Sequence, residues 1–146
     1  MARGSASVQI QRAPVDVFDV LADVSKNAQW ASASIEGHLT STGPVGVGST
    51  AREVTRFLGR RIETDSIVTA FVPGRRLAYE TQSGPFPFAG SFDVEPQGSG
   101  SNVTATFEAT PTGAFRLLGP LFARLATRQF ERDLASLRER MEAREL

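Results

Sequence analysis

The chain has 146 residues, 16 basic and 16 acidic side chains, no formal net charge and 40% hydrophobic residues. That is the make-up of an ordinary globular protein long enough to bury a core, and the balanced charge excludes a bulk electrostatic pull toward nucleic acid or anionic membrane. The absence of cysteine excludes disulfides, thiolate nucleophiles and cysteine-ligated metal or iron–sulfur centres.

Met1–Ser5 lacks the apolar core of a signal peptide, and no apolar run approaches the roughly 20 residues needed to span a bilayer. A cytoplasmic protein without a transmembrane segment is the expectation, folded as one domain over 1–146 with an ordered core at about 7–142. Ser7–Arg12 alternates polar and apolar, which predicts a first strand with Val8 and Ile10 facing inward. Ala13-Pro14 breaks it, and Pro14 with Asp16 suits a helix start. Val17, Phe18, Val20, Leu21 and Val24 recur at helical spacing, a second helical turn follows near Ser25–Ala28, and Trp30 plugs one end of the core.

From Ile35 the period changes to two. Strands are predicted over Ile35–Thr42, Ser49–Leu58, Arg60–Phe71, Leu77–Thr81, Phe86–Val94 and Val103–Ala109, joined by short Gly- and Pro-containing turns. Pro87 demands an edge or strand-start position. After Pro111 the helical period returns, Gly119-Pro120 interrupts it, and a long helix runs from about Pro120 to Arg144. Its apolar stripe is Leu121, Phe122, Leu125, Phe130, Leu134, Leu137 and Met141. At 1.5 Å per residue it spans about 36 Å, enough to cross a sheet. The order β-α-α-β-β-β-β-β-β-α segregates helices from strands and makes the class α+β.

Four features resemble the START/Bet v 1-like (SRPBCC) superfamily, particularly its polyketide cyclase/dehydrase-like branch. They are Ala13-Pro14-Val15-Asp16-Val17-Phe18 after strand one, Trp30 a dozen residues on, Gly43-Pro44-Val45-Gly46-Val47-Gly48 between strands two and three, and the closing amphipathic helix. The resemblance implies a helix-grip fold, a curved seven-stranded antiparallel sheet wrapped around the long C-terminal helix, with two short helices after strand one.

A twisted sheet gripping one helix leaves space to be filled or left hollow. Small residues (Gly37, Ala51, Thr64, Ser66, Gly90 and Ala105) leave room for it. The expected cavity lining is Phe57 or Val54, Ile62, Leu77 or Tyr79, Phe88, Phe92, Phe107, Leu118, Leu121, Phe122 and Leu125.

Candidate chemistry is sparse. His38, the only histidine, falls on the strand parity opposite to Ile35, Gly37 and Leu39; it is either a general acid/base or an exposed strand residue. Tyr79, the only tyrosine, could hydrogen-bond a ligand carbonyl or simply pack. Arg52 and Glu53 face opposite ways, so one of them points inward; an inward Arg52 or Arg56 would anchor an anionic ligand. No metal-ligand spacing, phosphate loop or dinucleotide fingerprint is present, and no metal or cofactor is expected. Arg124, Arg128 and Arg132, flanked by Arg116, form a basic ridge answered by Glu131 and Asp133, without the aromatic platform of a nucleic-acid binder.

The leading expectation is binding or transport of a hydrophobic small molecule, whether a lipid, a polyketide or an aromatic metabolite, by a monomer or homodimer. The rivals are a polyketide cyclase/dehydratase using Tyr79, His38 or an inward Arg or Glu, and a toxin-like or regulatory interaction module using the basic ridge.

Overall fold

A computed structural model describes residues 1–146. Seven strands form one sheet in the order β1-β7-β6-β5-β4-β3-β2, with every neighbouring pair antiparallel. The strands are β1 (Ala2–Ile10), β2 (Ser34–Leu39), β3 (Thr50–Phe57), β4 (Arg60–Val72), β5 (Arg76–Ser83), β6 (Phe88–Gln97) and β7 (Gly100–Ala109). Helix α1 (Pro14–Ala22), a 3₁₀ turn (Val24–Lys26) and α2 (Asn27–Trp30) follow β1. A second 3₁₀ turn (Gly113–Leu118) leads into the long helix α3 (Pro120–Glu142). This is the helix-grip arrangement, with the helices gathered on the concave face.

Strand boundaries differ from the sequence expectation for identifiable reasons. β1 begins at Ala2, five residues early, because its inward positions there are Ala2, Gly4 and Ala6 rather than large apolar side chains. A Cβ on Gly4 would collide with Thr127 of α3 and with the Phe107 ring, so glycine is what lets helix and strand meet. β6 starts after Pro87, whose carbonyl accepts from Thr110 N at 3.0 Å while the ring itself offers no donor. In β2 the register slips between Ser34 and Glu36. This bulge turns Ile35 outward, 42% exposed, against the expected parity, while Gly37 and Leu39 keep theirs.

The core has two parts. One joins α1, Trp30, β1, β6, β7 and the C-terminal half of α3 through Ile10, Val17, Phe18, Val103, Leu134, Leu137 and Met141. The other, centred on Phe107, Phe115 and Phe122, closes the opposite end. α3 packs along β1, with α2 and the second 3₁₀ turn as its other close backbone neighbours. Its C-terminus is tied down by Arg12, whose Nη1 donates to the carbonyls of Met141 (2.8 Å) and Leu146 (3.1 Å). Because α3 lies on the β1 side, the curved sheet from β3 to β5 has no helix pressed against it. No helix is long and apolar enough to cross a membrane.

Candidate ligand-binding cavity

The uncovered stretch of sheet encloses a cavity of about 270 Å³. Strand parity decides which side chains reach it. On β3 these are Ala51, Glu53, Thr55 and Phe57, on β4 Ile62, Thr64, Ser66 and Val68, and on β5 Leu77, Tyr79 and Thr81. Phe88 and Phe92 of β6 and Phe122, Ala126, Gln129, Phe130 and Asp133 of α3 complete the walls. Asn27 and Trp30 of α2, with Ala31, Ala33 and Ser34, close one end. Of 30 lining residues 20 are hydrophobic, and none is basic.

Of the side chains expected around the cavity, Phe57, Ile62, Leu77, Tyr79, Phe88, Phe92 and Phe122 face it. The others do not. Between the alternatives Phe57 and Val54 the structure places Phe57 at the cavity, and Val54 is buried on the outer face of the sheet, the parity of Arg52 and Arg56. Phe107 is sealed behind the rings that reach it, stacked on Phe88 (centroids 5.9 Å apart) and on Phe130 (5.4 Å). Leu118 packs on the phenylalanine cluster at the closed end. Leu125 is half-buried and Leu121 is 46% exposed. Both lie roughly a quarter-turn or more around α3 from the face carrying Phe122, Ala126, Gln129 and Asp133.

The three candidate catalytic residues also separate. His38 is exposed on β2 and does not line the cavity. Arg52 points outward, its guanidinium 3.6 Å from Glu63 and 3.7 Å from Asp65. The inward member of the pair is Glu53, so the cavity gains a carboxyl instead of a guanidinium. Tyr79 faces the cavity with its ring across Gly90, its hydroxyl 2.6 Å from where a Cβ would stand. The space left by Gly90 is therefore taken by Tyr79 and is not hollow.

Polar side chains converge on the α2 end. Asn27 Nδ2 donates to Glu53 Oε2 at 3.2 Å. Burial pushes the Glu53 carboxyl up from the ordinary glutamate range, only partly offset by that hydrogen bond. Burial, reinforced by the nearby Glu53 charge, pushes the Tyr79 phenol up as well, so it stays a neutral donor. Asp133, expected on the solvated face of α3, is instead buried. Its Oδ1 accepts from Ser32 N (3.0 Å), Ser32 Oγ (3.0 Å) and Gln129 Nε2 (2.9 Å), tying α3 to the loop after α2. Burial raises its carboxyl; those hydrogen bonds and Arg132 pull the other way.

Sequence reasoning missed Asn27, Ser34, Gln129 and Asp133, and left Glu53 undecided. The signal for Glu53 was present: it shares strand parity with Ala51, Thr55 and Phe57, a small and apolar face, whereas Arg52 shares its parity with Arg56.

Comparison with known proteins agrees with this geometry. The family model described as polyketide cyclase / dehydrase and lipid transport matches residues 1–142. No curated protein matches the chain. Among solved structures, a Thermus thermophilus protein superposes with a TM-score of 0.85 at 20% identity, covering 99% of each chain. A START superfamily protein from Mycobacterium smegmatis gives a TM-score of 0.86 at 16% identity, covering 98% of this chain and 99% of that one. The Zhui aromatase/cyclase of a Streptomyces species gives 0.75 at 18%, covering 99% and 95%. At these identities the structures establish a shared fold, and the match of the family model over nearly the whole length assigns the chain to the polyketide cyclase/dehydrase and lipid-transport family.

Proposed function

We propose that the protein binds a hydrophobic small molecule, a lipid, polyketide or aromatic metabolite, in the cavity between β3–β5 and α3, and carries or presents it. The observation that supports this most is the cavity itself, about 270 Å³ with 20 of 30 lining residues hydrophobic. Such volume and character suit an organic guest. Removing about 250 Å² of apolar guest surface from water contributes about 6 kcal/mol before the costs of association. Native mass spectrometry of freshly purified protein tests the reading. The expected result is a bound organic species, or saturable uptake of an added apolar ligand with one site per chain. Absence of both overturns it.

A second reading, a cyclase- or dehydratase-like enzyme, is favoured by one observation: Glu53 and Tyr79 face the same cavity, and the Glu53 charge helps hold the Tyr79 phenol neutral. A carboxyl raised by burial keeps its proton closer to neutral pH and is suited to general acid–base work on a folded substrate chain. Turnover of a polyketone that disappears in Glu53→Gln would move the assignment to this reading. The interaction-module alternative predicts a filled core, and the cavity counts against it.

A further inference from the structure

Three buried polar atoms have no hydrogen-bond partner: Asn27 Oδ1, Trp30 Nε1 and Ser34 Oγ. All three belong to residues lining the cavity, and all come from one short stretch spanning α2 and the start of β2. Trp30 is only 5% exposed. Leaving such a group buried and unpaired costs about 1–3 kcal/mol each, so three at one pole of a mostly apolar hollow mark a place where a partner is missing.

The chemistry of the three atoms describes that partner. The indole N–H can only donate, so it requires an acceptor on the guest. The Ser34 hydroxyl both donates and accepts. The Asn27 amide is engaged at one end by Glu53, and its other end is left over whichever member of that pair holds the proton. A guest satisfying all three carries both an acceptor and a donor.

Charge narrows the choice. The titratable groups lining the cavity are Glu53, Tyr79 and Asp133, with no Arg, Lys or His among them. A guest carboxylate would lose its hydration, meet two carboxyl groups and find no cation. A guest ammonium would present donors to the donor-only indole and supply no acceptor.

We infer that the pole formed by Asn27, Trp30 and Ser34 binds the uncharged oxygen-bearing head of an aromatic or aliphatic hydroxy-ketone, and that the cavity rejects the corresponding carboxylate. This rests on the small-molecule reading above and specifies its ligand class.

Calorimetric titration near neutral pH with three probes of one shape separates the two claims: naphthalene, a hydroxynaphthyl ketone and naphthoate. The hydroxy-ketone binds about tenfold tighter than naphthalene, the gain of one well-made hydrogen bond to a previously unpaired group, and naphthoate binds at least about tenfold more weakly than the hydroxy-ketone. Ser34→Ala and Trp30→Phe each shrink the advantage of the hydroxy-ketone over naphthalene. Trp30 packs edge-on to Phe92 with centroids 6.2 Å apart, so its variant is first checked for a cooperative unfolding transition; Ser34→Ala carries the test if it fails. Naphthoate binding as tightly as the hydroxy-ketone, or a hydroxy-ketone advantage that survives the substitutions, overturns the inference while leaving the small-molecule reading intact. No saturable binding by any of the three overturns both.

Discussion

The two sides of the sheet's concave face differ in one respect, how close α3 comes. On the β1–β7–β6 side the helix lies against Ala2, Gly4 and Ala6, and the side chains between are shut from solvent: Val103, Leu137 and Met141 are 0% exposed and Ala105 is 2%. On the β3–β5 side the same sheet carries side chains of similar size, Val68, Ile62 and Leu77, yet meets no helix backbone and encloses a hollow. Backbone approach, set by three small residues on β1, separates packed core from cavity here more than hydrophobicity does. The same Gly4 that seats the helix on one edge leaves the opposite half of the sheet uncovered.

Equal truncations on the two sides give the largest expected contrast. Val103→Ala loses about 2.5 kcal/mol, or roughly 8 °C in Tm for a chain of this size, by leaving a void the packed side cannot collapse. Val68→Ala, which borders an existing void, loses about 1 kcal/mol. Urea denaturation of the two variants checks this, and equal losses would break the distinction. Enlargement gives the converse. Ala105→Leu costs about 1–3 kcal/mol by overpacking, whereas Ala51→Leu, pointing into the cavity, stays within about 0.5 kcal/mol of the parent.

The first of these contrasts was only half legible in the chain. Alternation identified seven strands, and the Ala13–Phe18 entry, Trp30 and the closing helix identified the fold. β1 was cut short at Ser7 because Ala2, Gly4 and Ala6 look like nothing in an apolar/polar count, though they are the residues on which the helix rests. The cavity-facing side of α3 was misplaced for a related reason. Its apolar stripe, Leu134, Leu137 and Met141 above all, marks the packed side, while the face toward the hollow carries Gln129 and Asp133. Polar residues that serve a cavity look like surface in one dimension. The bulge at Ser34–Glu36, which turns Ile35 outward, depends on pairing with β3 and has no local sequence mark.

A smaller effect sharpens the polar end. Glu53 is disfavoured as a charge by folding, so the native state holds its proton to higher pH than the unfolded chain does. Its contribution is whole below the ordinary glutamate pKa and declines as pH climbs through the raised value. Glu53→Gln removes that decline and leaves an amide able to pair with Asn27. Its Tm advantage over the parent is expected to be larger near pH 8 than near pH 5, by calorimetry at both values. The smallest effect belongs to the packed-or-hollow comparison's outsider: His38→Ala, on the exposed face of β2, changes stability and ligand affinity by no more than about 0.5 kcal/mol.

The central claim, that the β3–β5 side is a receptive hollow, meets its most direct test in a fluorescence titration of the uncharged dye Nile red against the parent and Ala51→Phe, with Tm measured for both. Saturable binding by the parent that is lost in Ala51→Phe at unchanged Tm is the predicted result. Undiminished binding by the filled variant, or none by the parent, would contradict it.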